Sequence, residues 1–287
     1  MKATALAFGA ISIVNAIARG NGAALGVSLT TEAEVELYPR SKDITVEIEN
    51  EASENPRLAQ VVVRRITSVL GLGITGAHIR TKSTIPIGRG LKSSSAAANA
   101  IGLATMRAAG GLLSDEEIVM EGSKSALEAQ VSITGALDDA GASYFGGIVI
   151  TNNLEGKILT RSSVDPSLQV LIYVPETKKY TWDTPRDRMA SINLLCDESF
   201  NLAREGEYWK AMIINGLAYS AALDISPKPA IDALAAGALA AGLSGKGPSI
   251  AAISVAEKAD QIRELWSSYP GTVISTLPNN TKAHCLT

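Results

Sequence analysis

The sequence predicts an α+β fold in two lobes, on three observations. Its 287 residues exceed the roughly 250 at which single hydrophobic cores usually stop growing. A hydrophobic fraction of 46% with 19% charged residues can bury a sizeable core and lies far from the composition of disordered chains. Segments with the two-residue period of strands are interspersed with segments of helical period, and a polar connection, "NNLEGKILTRSSVDP", divides them. Placing the boundary in that connection gives lobes of 1–156 and 157–287.

The elements follow in order. "AEVELYPRSKDITVEIEN" alternates apolar and polar residues around a Pro/Ser/Lys/Asp turn and predicts a hairpin. Leu58, Val61, Val62 and Ile66 form a helical stripe over residues 56–70, and a strand is expected over 77–82. Residues 93–109 are rich in helix formers and close at Gly110 and Gly111, a C-cap pair. Ser114 stands three residues before Glu117, the spacing of a capping box, so a helix is expected over 115–132. "SYFGGIVITNN" and "LQVLIYVP" read as buried strands. Helices near 186–206, 207–223 and 228–241 follow, then a strand at 249–255, a helix from 257 and a strand at 272–277.

Composition excludes several functions. A net charge of −3 without a long Lys/Arg block removes the electrostatic basis for nucleic-acid or anionic-membrane binding, leaving a small-molecule partner. Two distant cysteines and two histidines are too few soft ligands for a zinc site and suit a reducing compartment. His78, in a strand-like stretch, reads as a surface or structural residue. The opening "MKATALAFGAISIVNAIARG" has the lysine and apolar run of a secretory signal, but Gly9, Ser12 and Asn15 interrupt it and it is short for a membrane span. Buried strands and a turn in a cytoplasmic enzyme are expected there. Monomer and homodimer both stay open.

The loops carry the chemistry. In "PIGRGLKSSSAAANAIG", residues 86–102, glycines and serines feed a helix. The unpaired N–H groups and positive dipole end of such a helix bind phosphate, and hydroxyls donate to it or ligate Mg²⁺. Gly/Ser loops are also ordinary turns. The P-loop pattern is absent: in "LSGKGPSI" Gly247 stands where Ser or Thr is required and Ala240 at the first glycine position. Nor does a G-x-G-x-x-G appear between a strand and a helix, since Gly88 and Gly90 are followed by Ser93. The segment 242–249 is either a turn leading to a strand or a second loop against the phosphates. In "TGALDDAGASYFGG" the paired carboxylates Asp138 and Asp139 lie between a helix end and a Gly-Gly strand start; they suit the proton transfer that phosphorylating an alcohol requires, or a surface turn. Glu128 could face a metal from its helix, or pair with Lys124 at i,i+4 spacing. "ETKKYTWDTPRDR", with Lys178, Lys179, Arg186 and Arg188, is either a site for an anionic substrate or a solvated charged face.

Together these segments resemble the GHMP kinase superfamily. "PIGRGLKSSSAA" is similar to its second motif, P-x-x-x-G-L-G-S-S-A-A, with Lys92 in place of a glycine; "LSGKGPSI" is similar to the third; and "TGALDDAGASYFGG" to the stretch with the catalytic aspartate. "ISIVNAIARGNGAALGVSL" takes the place of the first motif without its Pro-Gly-Lys opening. The matches keep family order across nearly the whole chain, and within the superfamily the archaeal-type shikimate kinases are most similar. That resemblance implies a ribosomal S5 domain 2-like N-terminal lobe, a ferredoxin-like C-terminal lobe, and ATP-dependent, Mg²⁺-assisted phosphorylation of the shikimate 3-hydroxyl. Homoserine or mevalonate kinase activity, or a silent nucleotide-binding regulator, are the alternatives. By motif, Asn15, Pro86, Gly88, Gly90, Leu91, Lys92, Ser93, Ser94, Ser95 and Ala96 would surround the nucleotide. Ser94 and Glu128 would hold the metal, and Thr134, Gly135, Arg186, Arg188, Gly245, Lys246 and Gly247 the acceptor. Counting back from Gly146 and Gly147 makes Asp139 the base; counting forward from Gly135 favours Asp138.

Overall fold

The computed structural model describes residues 1–49, 54–72, 76–176 and 186–286. The chain opens with two long strands, β1 (Lys2–Val14) and β2 (Asn21–Tyr38), whose small and β-branched residues suit a surface packed on both faces. The suspected signal-like stretch is therefore strand and turn. Then come β3 (Ile44–Ile48), α1 (Arg57–Val69), β4 (Gly76–Ser83), α2 (Ser93–Ala108), α3 (Asp115–Glu128), α4 (Leu137–Phe145), β5 (Ile148–Asn152) and β6 (Lys157–Ser162). The remainder is β7 (Gln169–Pro175), α5 (Arg186–Met189), a 3₁₀ turn (Ala190–Ile192), α6 (Asn193–Arg204), α7 (Tyr208–Ala222), α8 (Lys228–Ala235), β8 (Ala240–Leu243), β9 (Ile250–Ser254), α9 (Ala256–Ser267), β10 (Gly271–Thr276) and β11 (His284–Leu286).

Two sheets result. In the larger, the order is β11-β1-β2-β4-β3, and β2 changes partner along its length: residues 21–25 pair with β5, which carries β6, while residues 31–38 pair with β4. The expected division at 156/157 falls in the β5–β6 turn, and both of those strands belong to this sheet. The smaller sheet has the order β10-β7-β9-β8, all antiparallel. With α6 and α7 after its first strand and α9 before its last, this is the split βαβ pattern of a ferredoxin-like unit. One apolar cluster joins the sheets, Ile11, Ile13 and Val14 of β1 meeting Val170, Ile172, Met212 and Ile253.

The structure departs from the sequence-based expectations at several places. β3 does not form a hairpin with β2; it pairs in parallel with β4, which lies between them. Asp138 and Asp139 lie in the first turn of α4, in a stretch read as a loop running into a strand. The helix expected over 228–241 stops at Ala235, and residues 240–243 form β8. Residues 157–162, read as connection, are β6.

α2 is the helix that fixes the site. Ala96, Ala98, Ala100, Ala104 and Ala108 are buried, and alanines let it lie close to β1 and β2 at the best intrinsic helix propensity. The helices differ at their starts. α3 has the expected capping box, Ser114 accepting from the Glu117 N–H while the Glu117 carboxylate accepts from the Ser114 N–H. α2 starts at Lys92 and α4 at Ala136; both are left-handed (φ 64° and 50°), and neither has a side-chain cap. Left-handed non-glycine residues cost about 1 kcal/mol each and gather at functional sites.

Candidate active site

A cleft opens where the uncapped helix starts converge. It is lined by Asn15 after β1, by Gly88, Gly90, Lys92, Ser93, Ser94 and Ser95 at the start of α2, by residues 130–134, by Asp138 and Asp139, and by Gly245, Lys246 and Gly247 between β8 and β9. The phosphate-loop candidates, both carboxylates and the second glycine loop thus face one space.

The two glycine loops touch. A Cβ on Gly90, whose φ is +80°, would lie 2.2 Å from the Ser244 carbonyl oxygen, so only glycine allows the approach. Hydrogen bonds fix the contact. Ser244 Oγ donates to Gly90 O (2.7 Å) and accepts from the Ser12 N–H (3.2 Å), while Ser12 Oγ accepts from the Gly245 N–H (3.0 Å) and from Lys92 Nζ (2.8 Å). Asn15 Nδ2 donates to Gly245 O (2.7 Å). Tyr219, fully buried on α7, donates to Asn15 O and accepts from the Ala18 N–H, holding the turn after β1. Gly90→Ala is expected to lower the unfolding free energy by about 2–4 kcal/mol, from strain plus forced separation of the loops. Urea denaturation checks this; a loss under 1 kcal/mol would mean that the loops part freely.

Lys92 resolves its own oddity. It adopts the left-handed conformation that a glycine in this position would supply, and sends its buried ammonium to Asp139 Oδ1 at 2.9 Å. A lysine absent from the first motif's place is thereby present in the cleft from the second. Asp138, 2% exposed, lies against β2 where Gly22 leaves room: a Cβ there would sit 2.5 Å from its Oδ2. Asn153 Nδ2 donates to its Oδ1 at 2.9 Å. Burial, reinforced by Asp139, pushes the Asp138 carboxyl up to about 7, although Lys92 and Asn153 oppose the rise.

The sign of the resulting pH dependence is fixed. A carboxyl raised above its unfolded value near 3.9 contributes stability at low pH that is lost as pH climbs through about 7. Asp138→Asn keeps the acceptor for Asn153 but not the ionisation. The variant is expected to match the parent near pH 4 and to exceed it at pH 8 by an amount on the order of 2 kcal/mol. Denaturant melts at the two pH values measure the difference, and an equal gap at both would contradict the shift.

Other expected site residues go elsewhere. Leu91 and Ala96 are buried in the core, Pro86 lies outside the cleft lining, and Gly135 sits behind it, its carbonyl accepting from Ser123 Oγ. Glu128 does not join Ser94: its carboxylate, half exposed, pairs with Arg65 of α1 at 3.2 Å, outside the cleft lining. The helical face that carries it looks toward α1. Arg188 pairs with Asp224 at the surface, again outside the lining. The Arg186 side chain, like Lys178 and Lys179, lies outside the described residues. Sequence reasoning missed Ser12, Ser244 and Asn153. The signal for Ser12 was a polar residue within an apolar strand, which must find a buried partner.

Residues 57–147 match the family model described as the GHMP kinases N terminal domain. The shikimate kinase of Methanosarcina acetivorans is 42% identical over 97% of this chain and 95% of its own length, and that of Halobacterium salinarum 38% over 96% of each. Among solved structures, homoserine kinase from Cytophaga hutchinsonii superposes with a TM-score of 0.81 at 19% identity, covering 99% of this chain and 97% of that one. L. major mevalonate kinase gives a TM-score of 0.71 at 16% identity, covering 96% of this chain and 95% of that one. The structural likenesses show the fold, two-lobed and α+β as the sequence predicts, and the near-full-length relatives show the rest: the chain belongs to the GHMP kinase superfamily and, within it, to the family of the archaeal shikimate kinases.

Proposed function

We propose that the protein transfers the terminal phosphoryl group of ATP to the 3-hydroxyl of shikimate, as a cytoplasmic enzyme. One observation carries the site reading: the uncapped, serine-lined start of α2 and the Asp138–Asp139 pair share one cleft, with Lys92 between them. The relatives' activity supports the acceptor, and two free cysteines suit a reducing compartment.

The residues fit the nucleotide. Backbone N–H groups at the start of α2 have no side-chain cap to satisfy them, and Ser93, Ser94 and Ser95 add hydroxyls, a donor set suited to phosphate oxygens. Ser94 offers a hard oxygen of the kind Mg²⁺ takes; Glu128, turned to Arg65 outside the cleft lining, does not join it. ATP with Mg²⁺ supplies the phosphoryl group and neutralises its charge when bound. Asp139 accepts the proton of the acceptor hydroxyl as that oxygen bonds to phosphorus, and Lys92 holds the carboxylate in place. The loop of Gly245, Lys246 and Gly247 closes the opposite wall.

The test is ADP release with ATP and Mg²⁺ over shikimate, homoserine and mevalonate. Shikimate is expected to be strongly preferred. Turnover with another acceptor alone would reassign the substrate, and binding without transfer to any would make the protein a sensor.

A further inference from the structure

The turn between β5 and β6 holds a polar residue that no motif explains. Asn153 is half-buried and anchored at both ends. Its backbone N–H donates to Gly20 O at 2.7 Å, and its Oδ1 accepts from Thr151 Oγ1 at 2.6 Å. Thr151 is fully buried in β5. With Oδ1 occupied by that hydroxyl, the amide presents its NH₂ to the cleft side. There Nδ2 reaches two groups at once, Asp138 Oδ1 at 2.9 Å and Thr134 Oγ1 at 3.2 Å.

The consequence for Thr134 follows from counting its valences. A hydroxyl has two acceptor lone pairs and one donor proton. Thr134 Oγ1 accepts from Asn153 Nδ2 and from the Ala136 N–H at 3.3 Å, which fills both acceptor positions. Its proton is then left to donate, and Thr134 lines the cleft beside Asp138 and Asp139. The donor suits an oxygen of the acceptor molecule.

We infer that Asn153 is a positioning residue for phosphoryl transfer, pinning Asp138 with one amide hydrogen and, with the other, committing the Thr134 hydroxyl to donate to an oxygen of the acceptor substrate. The inference rests on the kinase reading of the cleft. It links the acid pair to the acceptor wall through one side chain, so both respond to one substitution.

Among the described residues, the groups facing Asp138 are Asp139 from its own helix, Lys92 from the start of α2, Asn153 from the β5–β6 turn and the Tyr219 phenol from α7, with uncharged Gly22 on β2. Asn153 donates to the ionised form and so holds the proton affinity of Asp138 down. Removing the donor moves proton uptake to higher pH.

The test compares Asn153→Leu and Thr134→Val with the parent. Asn153→Leu is expected to raise the acceptor KM about 10-fold, leave the ATP KM within about 2-fold, and move the acidic limb of the kcat profile up by about one pH unit. Thr134→Val is expected to raise the acceptor KM alike without moving that limb. Carboxyl ¹³C NMR titration of Asp138, without substrates, is expected to show the same upward move in Asn153→Leu and none in Thr134→Val. An unmoved Asp138 titration together with an unchanged acceptor KM overturns the role of Asn153. Should Asn153→Leu not fold, an unchanged acceptor KM in Thr134→Val overturns it. A parent that transfers phosphate to no acceptor fails the kinase reading instead, and the NMR titration still decides whether Asn153 governs Asp138.

Discussion

Replacing Asp139 with asparagine is expected to lower kcat by about 10²- to 10⁴-fold while ATP binds with nearly unchanged affinity. The amide keeps the size and most of the polar contacts of the carboxylate, including an oxygen that can accept from Lys92, whose Nζ lies 2.9 Å from Asp139 Oδ1 in the parent. What disappears is the capacity to take a proton from an alcohol. The groups proposed to face the phosphates, the start of α2 and the glycine loop beyond it, are left in place, so nucleotide affinity reports an intact cleft while turnover reports the missing base. Steady-state kinetics with isothermal titration of a non-hydrolysable ATP analogue separates the two. Activity near the parent's in Asp139→Asn would transfer the role to Asp138, whose buried carboxyl lies in the same first turn of α4.

The second large effect concerns Lys92. Lys92→Gly supplies the residue best suited to the left-handed conformation and deletes the ammonium, so backbone and charge contributions have opposite signs. The conformational relief is about 1 kcal/mol. Against it stands the removal of the cation from two buried carboxyl groups, and breaking a buried ion pair costs about 3–5 kcal/mol. Charge wins at neutral pH. The variant is therefore expected to be less stable than the parent at pH 8, and the deficit should shrink toward pH 5 as Asp138 takes up a proton. Turnover is expected to fall by about 10²- to 10³-fold, the usual cost of removing one preorganised charge-stabilising donor. Parallel urea melts at both pH values and kcat at pH 8 decide it. A variant as active as the parent would leave Lys92 as a backbone feature alone, and equal deficits at both pH values would deny its electrostatic link with the carboxylates.

Both predictions depend on contacts between residues far apart in the chain, which marks where sequence reading stopped. Signals carried within one helix or one loop were legible. The stripe on α1, the capping box of α3, the Gly110 and Gly111 end of α2, and the glycine–serine loop are each written within a few consecutive residues, because their hydrogen bonds close within one or two turns. The same holds for each of the motifs that placed the chain among phosphotransferases.

Elements without a strong local signature were misread. β8 is "AAGL", whose alanines favour helix in isolation; it is a strand because β9 pairs with it and α7 approaches so closely that a Cβ on Gly216 would lie 2.3 Å from Gly242 Cα. α4 starts at a left-handed alanine, where no N-cap signal marks a beginning. β3 found β4 rather than β2, a choice among partners that alternation alone does not make.

By itself, then, the sequence determined the fold class, the family and the loops that face the cleft, since periodicity, glycine placement and each motif are properties of neighbouring residues, and the order of the motifs is read along the chain. Only the tertiary structure decided that Glu128 turns to Arg65, that Lys92 reaches Asp139 and that Asn153 holds Asp138. Each of those partners comes from a different element. Which way a charged side chain turns depends on what is packed opposite it, and the chain order does not contain that information.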